Sequence, residues 1–282
     1  MTIRFWGTRG SIPTFNSDTV AYGGNTSCVT IVDKGVMIIL DAGSGIKNLA
    51  DSDYIKLFTE FHILITHMHF DHIQGLGFFG PFFNPKITVN IYGPASNSDE
   101  LIKNLSKYLS PPLFPVRIQD FKADNQFYSL PKASLKIGHL QVDAQFLCHP
   151  GPTLGYRINN GRNTVTYIPD HEVALGVPAF PKSNEWTSGY GLAEQTDLLI
   201  HDAQYDVEQY ESKVGWGHSS FPQAIQFAKL CQAKKLYFFH HDPMHTDQRL
   251  EDLYKTYVQD AGEEIPFEAH LAKESDTIEL AE

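Results

Sequence analysis

The sequence predicts an α/β domain with sheets in its core and helices outside, and three observations carry that expectation. Of the 282 residues, 42% are hydrophobic and 20% charged, which suits a chain that buries a large core and excludes a disordered or collagen-like one. Most of the apolar residues fall in short runs of Val, Ile, Leu and Phe separated by Gly, Pro, Asn and Asp, the pattern of strands. A few segments instead repeat at helical spacing. No internal repeat, low-complexity tract or Pro/Gly/Ser-rich linker divides the chain, so residues 1–282 read as a single domain.

In chain order the expected strands are Ile3–Trp6, Cys28–Val32, Val36–Leu40, His62–Ile65, Ile87–Tyr92, Gln145–Leu147, Val165–Ile168, Leu198–Ile200 and Leu236–Phe239. Each is too short and too β-branched or aromatic to favour a helix. Glu100–Leu109 is the first expected helix, since Leu101, Ile102, Leu105 and Leu109 fall on one face. The clearest helix runs from Phe221 to about Gln232. Ser220 with Gln223 forms a capping box, Pro222 sits in the first turn, and Ala224, Ile225, Phe227, Ala228 and Cys231 make a wide apolar stripe.

Charge and cysteine content bound the setting. Lys and Arg total 22 against 33 Asp and Glu, a net charge of -11, so most of the surface repels nucleic acid. The exception is the stretch 101–136, with Lys103, Lys107, Arg117, Lys122, Lys132 and Lys136 against Asp120 and Asp124. It also holds Pro111, Pro112, Pro115, Phe114, Phe121, Phe127 and Tyr128, and reads as an irregular lid. Cys28, Cys148 and Cys231 are odd in number and far apart, which fits a reducing compartment. With no signal-like leader and no apolar run of membrane-spanning length, a cytoplasmic protein without membrane contact is expected.

The unusual count is thirteen histidines. Five apolar runs end in groups able to bind metal: His67, His149, Asp170, His201 with Asp202, and His240 with His241. Groups at strand ends are held rigidly and face the substrate side of a sheet. The densest segment is Thr66-His67-Met68-His69-Phe70-Asp71-His72. In an extended chain His67 and His69 project to one side and can grip one cation, while Asp71 and His72 can turn to a second. Imidazole with carboxylate favours zinc, with manganese or iron as alternatives, over calcium.

His-Xaa-His-Xaa-Asp-His after an apolar strand resembles the signature of the metallo-β-lactamase superfamily of metallohydrolases. The resemblance covers nearly the whole chain. Phe5-Trp-Gly-Thr-Arg-Gly-Ser11 and Tyr22-Gly-Gly-Asn-Thr-Ser-Cys28 are similar to the opening of its phosphodiesterase branch, and Leu40-Asp41-Ala42-Gly43 to the turn that buttresses the metal loop. His149-Pro150-Gly151, Tyr167-Ile168-Pro169-Asp170 and Phe239-His240-His241-Asp242-Pro243 resemble its later ligand motifs. The resemblance implies an αβ/βα four-layer sandwich, two mixed sheets flanked by helices, with two divalent ions. One ion would sit on His67, His69 and His149 and the other on Asp71, His72 and His240, with Asp170 between them. His240 is favoured over His241 because it directly continues its strand.

His201-Asp202-Ala203-Gln204-Tyr205 and Gly217-His218-Ser219-Ser220 resemble paired motifs of tRNA 3′-end endonucleases and related phosphodiesterases. They imply that His218 donates a proton to the leaving oxygen or holds the phosphate, with Asp202 orienting it, and that Asp71 belongs to the catalytic set. The expectation is therefore a dinuclear metal phosphodiesterase acting on a small or cyclic phosphodiester, attacked by a metal-bridging hydroxide, with room for a homodimer. Processing of tRNA 3′ ends is the alternative. It is ranked second because the long Gly-rich basic arm that the resemblance implies for those enzymes is missing from the sequence. Lactam or thioester hydrolysis ranks behind both, since the Gly-His-Ser and Gly-Thr-Arg-Gly-Ser segments speak against it.

Overall fold

The computed structural model describes residues 1–130, 133–173, 180, 183–262 and 264–281. Fourteen strands are described, in two seven-stranded mixed sheets. The first sheet contains β1 (Thr2–Gly7), β2 (Cys28–Asp33), β3 (Val36–Leu40), β4 (Glu60–Leu64), β5 (Thr88–Gly93) and β6 (Asp124–Ser129). The second contains β7 (Ala133–Ile137), β8 (Leu140–Phe146), β9 (Leu154–Asn159), β10 (Thr164–Ile168), β11 (Leu198–Asp202), β12 (Lys235–Phe239) and β13 (Glu268–Leu271). The last strand, β14 (Thr277–Glu279), returns to the edge of the first, giving the orders β14-β1-β2-β3-β4-β5-β6 and β13-β12-β11-β10-β9-β8-β7. Each sheet is antiparallel on one side and parallel on the other, β3 to β6 in one and β10 to β13 in the other.

Side-chain alternation along the strands builds the layers. Leu198 and Ile200 point into the apolar core between the sheets, together with Ile3, Phe5, Ile31, Tyr156 and Tyr167, whereas Leu199 points to the outer face. That outer face is covered by α6 (Phe221–Cys231) and α7 (Asp247–Tyr254), with α4 (Tyr190–Ala193) and α5 (Val207–Glu211) as shorter turns. The first sheet's outer face, through Ile39, Ile63 and Val89, packs on α1 (Ile46–Asp51), α3 (Ser98–Ser106) and a Phe79–Phe82 aromatic cluster, while α2 (Phe70–Ile73) is a single turn. Strands buried on both faces read as continuous apolar runs, which is why the inner parallel strands are legible in the sequence. The result is the expected helix–sheet–sheet–helix sandwich.

All nine expected strands lie within or overlap observed ones, although Gln145–Leu147 catches only the end of β8. The clearest helix is α6, where the Ser220 amide donates to Gln223 Oε1 at 2.9 Å. The stretch 101–136 departs from expectation. It holds most of α3, all of β6 and part of β7, so it completes one edge of each sheet and is irregular mainly between Lys107 and Arg117; Pro131 and Lys132 lie outside the described residues. No helix among the described residues is long and apolar enough to cross a membrane.

Candidate metal centre

The parallel strands of both sheets end at one rim, and the ligand-type residues leave from it, where open α/β sheets place their sites. After β4 the chain stays extended through His67 and His69, then coils into α2, which turns Asp71 and His72 inward. His149 follows β8, Asp170 follows β10, and His240 follows β12 directly. His67, His69, His149 and Asp170 bring one ligand atom each within 4.8 Å of one another, as do Asp71, His72 and His240. Asp170 stands between the groups. Its Oδ2 is 3.6 Å from His67 Nε2 and 3.8 Å from His149 Nε2, while its Oδ1 is 3.0 Å from His72 Nε2 and 3.3 Å from His240 Nε2. All seven residues expected at the centre are together.

The residues present fit divalent cations. Asp170 Oδ1 and His67 Nε2 are buried at the middle of the cluster without a hydrogen-bond partner, which a protein does not leave without reason. Four histidines have their outward nitrogen already engaged, which fixes the ring so that the other nitrogen faces inward. His67 Nδ1 is 3.0 Å from Thr66 Oγ1, and His72 Nδ1 is 2.8 Å from Asp41 Oδ2. His149 Nδ1 donates to the Gly217 carbonyl at 2.7 Å, and His240 Nδ1 is 2.9 Å from Gln204 Oε1. Electrostatics point the same way. Burial resists charge on Asp170 and Asp71, yet the surrounding histidines hold both carboxyls well below the usual range. Burial likewise opposes protonation of His72, but Asp170, Asp71 and Asp41 outweigh it and raise its pKa, so this cluster of negative charge attracts a cation.

Two supports hold this arrangement. Asp41 accepts from the Thr66 amide (2.7 Å), the Thr66 hydroxyl (2.9 Å) and the Tyr167 hydroxyl (3.0 Å) as well as facing His72, which is the buttressing expected of the Leu40–Gly43 turn. His240 adopts φ 59°, a left-handed conformation that turns its ring inward from the strand end. Gly10 makes room for that ring, since a Cβ there would lie 2.3 Å from His240 Nδ1. His241 faces away, with Nε2 donating to the Ala272 carbonyl at 2.8 Å and its ring edge against Tyr22. Arg9, fully buried, donates to the carbonyls of Gly23, Asp242 and His245 and so ties down the loop after His240. The Gly-Thr-Arg-Gly opening is thus a cradle for this loop.

His218 and Asp202, expected to act as a pair, are also brought together. His218 Nδ1 is 2.7 Å from Asp202 Oδ2, and its ring stacks on His240 at 4.9 Å. Asp202 accepts from the amides of His171 and Gln204, both at 3.0 Å, so it faces His218 as an acceptor and His218 carries its proton on Nδ1. His218 also lies close enough to Asp170 and His240 to share a cation with them, but its Nδ1 is taken by Asp202. Sequence reasoning missed Glu172 altogether. Its buried carboxylate accepts from the amides of Gly215 (3.0 Å) and Gly217 (2.9 Å) and from the Tyr210 hydroxyl (2.9 Å), pinning the loop that carries His218 and the Gly217 carbonyl. An acidic residue two positions after Asp170, in Asp170-His171-Glu172, was the available signal. Gln204 was part of a quoted motif, but its hold on His240 was not foreseen. His201, expected to be structural, is buried against His171.

Two mixed sheets meeting at a rim of inward-facing histidines and carboxylates define a metal-dependent hydrolase with a dinuclear divalent centre. The chain belongs to the metallo-β-lactamase superfamily: the sequence model described as "Beta-lactamase superfamily domain" matches residues 54–241. Among curated relatives, Ribonuclease Z of Natronomonas pharaonis is 23% identical, with 95% of this chain and 98% of that protein covered. Ribonuclease Z of Thermoplasma acidophilum is 26% identical, covering 91% and 92%. Among solved structures, the metallo-beta-lactamase fold protein YhfI of Bacillus subtilis gives a TM-score of 0.72 at 20% identity over 98% of both chains. Human tRNase Z, short form, gives 0.66 at 22% over 100% of both, and a diphosphatase from the PhnP family 0.69 at 16% over 99% and 98%. These structural likenesses are of fold.

Proposed function

We propose that this chain is a metal-dependent phosphodiesterase in which His67, His69 and His149 hold one divalent ion and Asp71, His72 and His240 the second, with Asp170 between them. Zinc suits the five imidazoles best, with manganese or iron as alternatives. Bound divalent ions supply an activated water and neutralise charge on the phosphate. The observation that carries the reading is the His218–Asp202 pair at 2.7 Å beside the cluster. Asp202 takes the hydrogen bond from His218 Nδ1, and the ring, when protonated on both nitrogens, gives its Nε2 proton to the departing oxygen, which suits an alkoxide leaving from phosphorus. Glu172 and Asp202 keep that group at a constant height over the centre.

For the substrate, the relatives named Ribonuclease Z support RNA, and cleavage at tRNA 3′ ends is the reading they favour. This reverses the order expected from the sequence. A small or cyclic phosphodiester remains a second reading because a specific observation favours it: Lys107 is the one cation among the described residues that line the cleft beside the cluster. An RNA chain is held by rows of cations along its phosphates. Metal-loaded protein assayed on a tRNA precursor, 3′,5′-cyclic AMP and a cyclic phosphosugar separates the two. Cleavage of the precursor alone sinks the small-substrate reading, and cleavage of cyclic esters alone sinks the RNA one.

A further inference from the structure

A cleft of about 710 Å³ opens beside the metal cluster and shares His67 and His69 with it. A phosphate held at the cluster leaves most of this volume to whatever is esterified to it. Two kinds of residue line the rest. Phe70 and Leu113 are large, apolar and exposed, at 57% and 71%, and Phe70 meets Tyr108 edge to face with ring centroids 5.2 Å apart. Exposed aromatic and aliphatic groups at the mouth of a site cost solvation unless a ligand covers them. Glu100, Asn104 and Lys107 follow one another at helical spacing along α3 and its C-cap, adding a line of hydrogen-bonding groups. Lys107 Nζ donates to Asn104 Oδ1 at 3.0 Å, which holds the amide in a fixed direction, and Glu100 Oε2 accepts from the Ser96 amide at 2.8 Å.

An aromatic face beside a few oriented polar groups is what a flat, uncharged heterocycle needs; an alkyl chain has no use for the polar line, and a polyanion would need more cations. Building on the phosphodiesterase reading above, we propose that the cleft is a nucleobase subsite. It receives the base of the nucleotide bearing the scissile phosphate, packed on Phe70 and Tyr108 and met at its edge by Asn104. An RNA chain and a cyclic nucleotide both offer such a base.

The test compares metal-loaded protein on thymidine 5′-p-nitrophenyl phosphate and methyl p-nitrophenyl phosphate, which share a leaving group. The subsite predicts a KM at least about tenfold lower for the thymidine ester, the size of one base–aromatic contact. Asn104→Ala and, separately, Leu113→Asp should remove most of that ratio. Equal KM values, or a ratio unmoved in both variants, overturn the proposal. Calorimetry on the same metal-loaded protein, with adenosine 5′-monophosphate against ribose 5-phosphate, reads the base without turnover. Failure to cleave either ester or a tRNA precursor removes the phosphodiesterase reading, while tighter binding of the adenosine compound, lost in the variants, still supports the subsite; equal binding overturns it. The variants should raise KM for 3′,5′-cyclic AMP if the base comes from a cyclic nucleotide and for a tRNA precursor if it comes from RNA, and no change for either overturns the assignment.

Discussion

Asp41→Asn tests how the second metal position is built. Asp41 Oδ1 accepts from the Thr66 amide at 2.7 Å, and Oδ2 faces His72 Nδ1 (2.8 Å), the Thr66 hydroxyl (2.9 Å) and the Tyr167 hydroxyl (3.0 Å). Its φ of 59° is one that Asn tolerates as well as Asp, so the exchange adds no backbone strain and isolates the change of charge and donor. An amide NH2 in place of Oδ1 would oppose the Thr66 N–H, which cannot turn away. The less costly rotamer puts NH2 at Oδ2, and His72 must then carry its proton on Nε2, the nitrogen aimed at the centre. A protonated nitrogen cannot take a cation. Two hydrogen bonds to a buried charge are lost, at about 1.5–3 kcal/mol each, so the metal-free protein should lose roughly 3–6 kcal/mol. Such a loss is survivable for a domain with ~5–15 kcal/mol of stability. The second metal equivalent should bind about 10–100-fold more weakly. Guanidinium unfolding and competition with a chromophoric chelator measure both. A variant unfolding within about 1 kcal/mol of the parent and retaining both equivalents at full affinity would refute the tautomer argument.

Four other outcomes are expected. His218→Ala should lower turnover of bis(p-nitrophenyl) phosphate by about 10²–10⁴ with both metals retained by elemental analysis; loss of a metal would mean the ring is a ligand instead. His240→Ala should lose one metal equivalent, whereas His241→Ala should keep both and lose stability through the Ala272 contact. Glu172→Gln puts an NH2 against at least one of the donors from Gly215, Gly217 and Tyr210, so amide exchange at 215 and 217 should accelerate, and unchanged rates would show that the carboxylate does not hold this loop. Burial depresses His201 to about 4, and burial with Arg9 nearby depresses His241 to about 3, so both are neutral in the folded chain while the unfolded chain takes up protons below about 6.5. Their stabilising contribution is complete above that pH and is lost as pH falls toward those values, at up to about 1.4 kcal/mol per unit for each; urea unfolding of His201→Gln between pH 7 and 5 should show a shallower slope than the parent.

What could be read from the sequence follows from where each residue is buried. The inner parallel strands of both sheets have apolar neighbours on two sides, so Val36–Leu40 and Val165–Ile168 announce themselves as unbroken runs. The missed strands are mostly at edges. β6 reads Asp-Asn-Gln-Phe-Tyr-Ser and β7 Ala-Ser-Leu-Lys-Ile, because an edge strand wets one face and carries the charges that discourage further pairing. That is part of why the stretch 101–136 reads as irregular. The candidate ligands were legible because ligand chemistry restricts residue type: few side chains can replace His or Asp at a strand end.

The supports around them were harder to read, since a backbone amide or carbonyl can fill the same role from any residue. Glu172 is the informative case. Asp170-His171-Glu172 puts a centre-facing carboxylate, an amide that donates to Asp202 and a carboxylate that binds the 215–217 amides on three successive residues. Ser219 Oγ closes the same unit by donating to the His171 carbonyl at 2.6 Å. The segment that places Asp170 between the two groups of histidines therefore also sets where His218 stands. These hydrogen bonds leave little freedom for His218 to move relative to the cluster, which is what the proposed proton transfer to a leaving oxygen requires. No spacing rule between His149, Asp170 and His218 reveals this coupling. It depends on hydrogen bonds that exist only once β10 and β11 lie side by side.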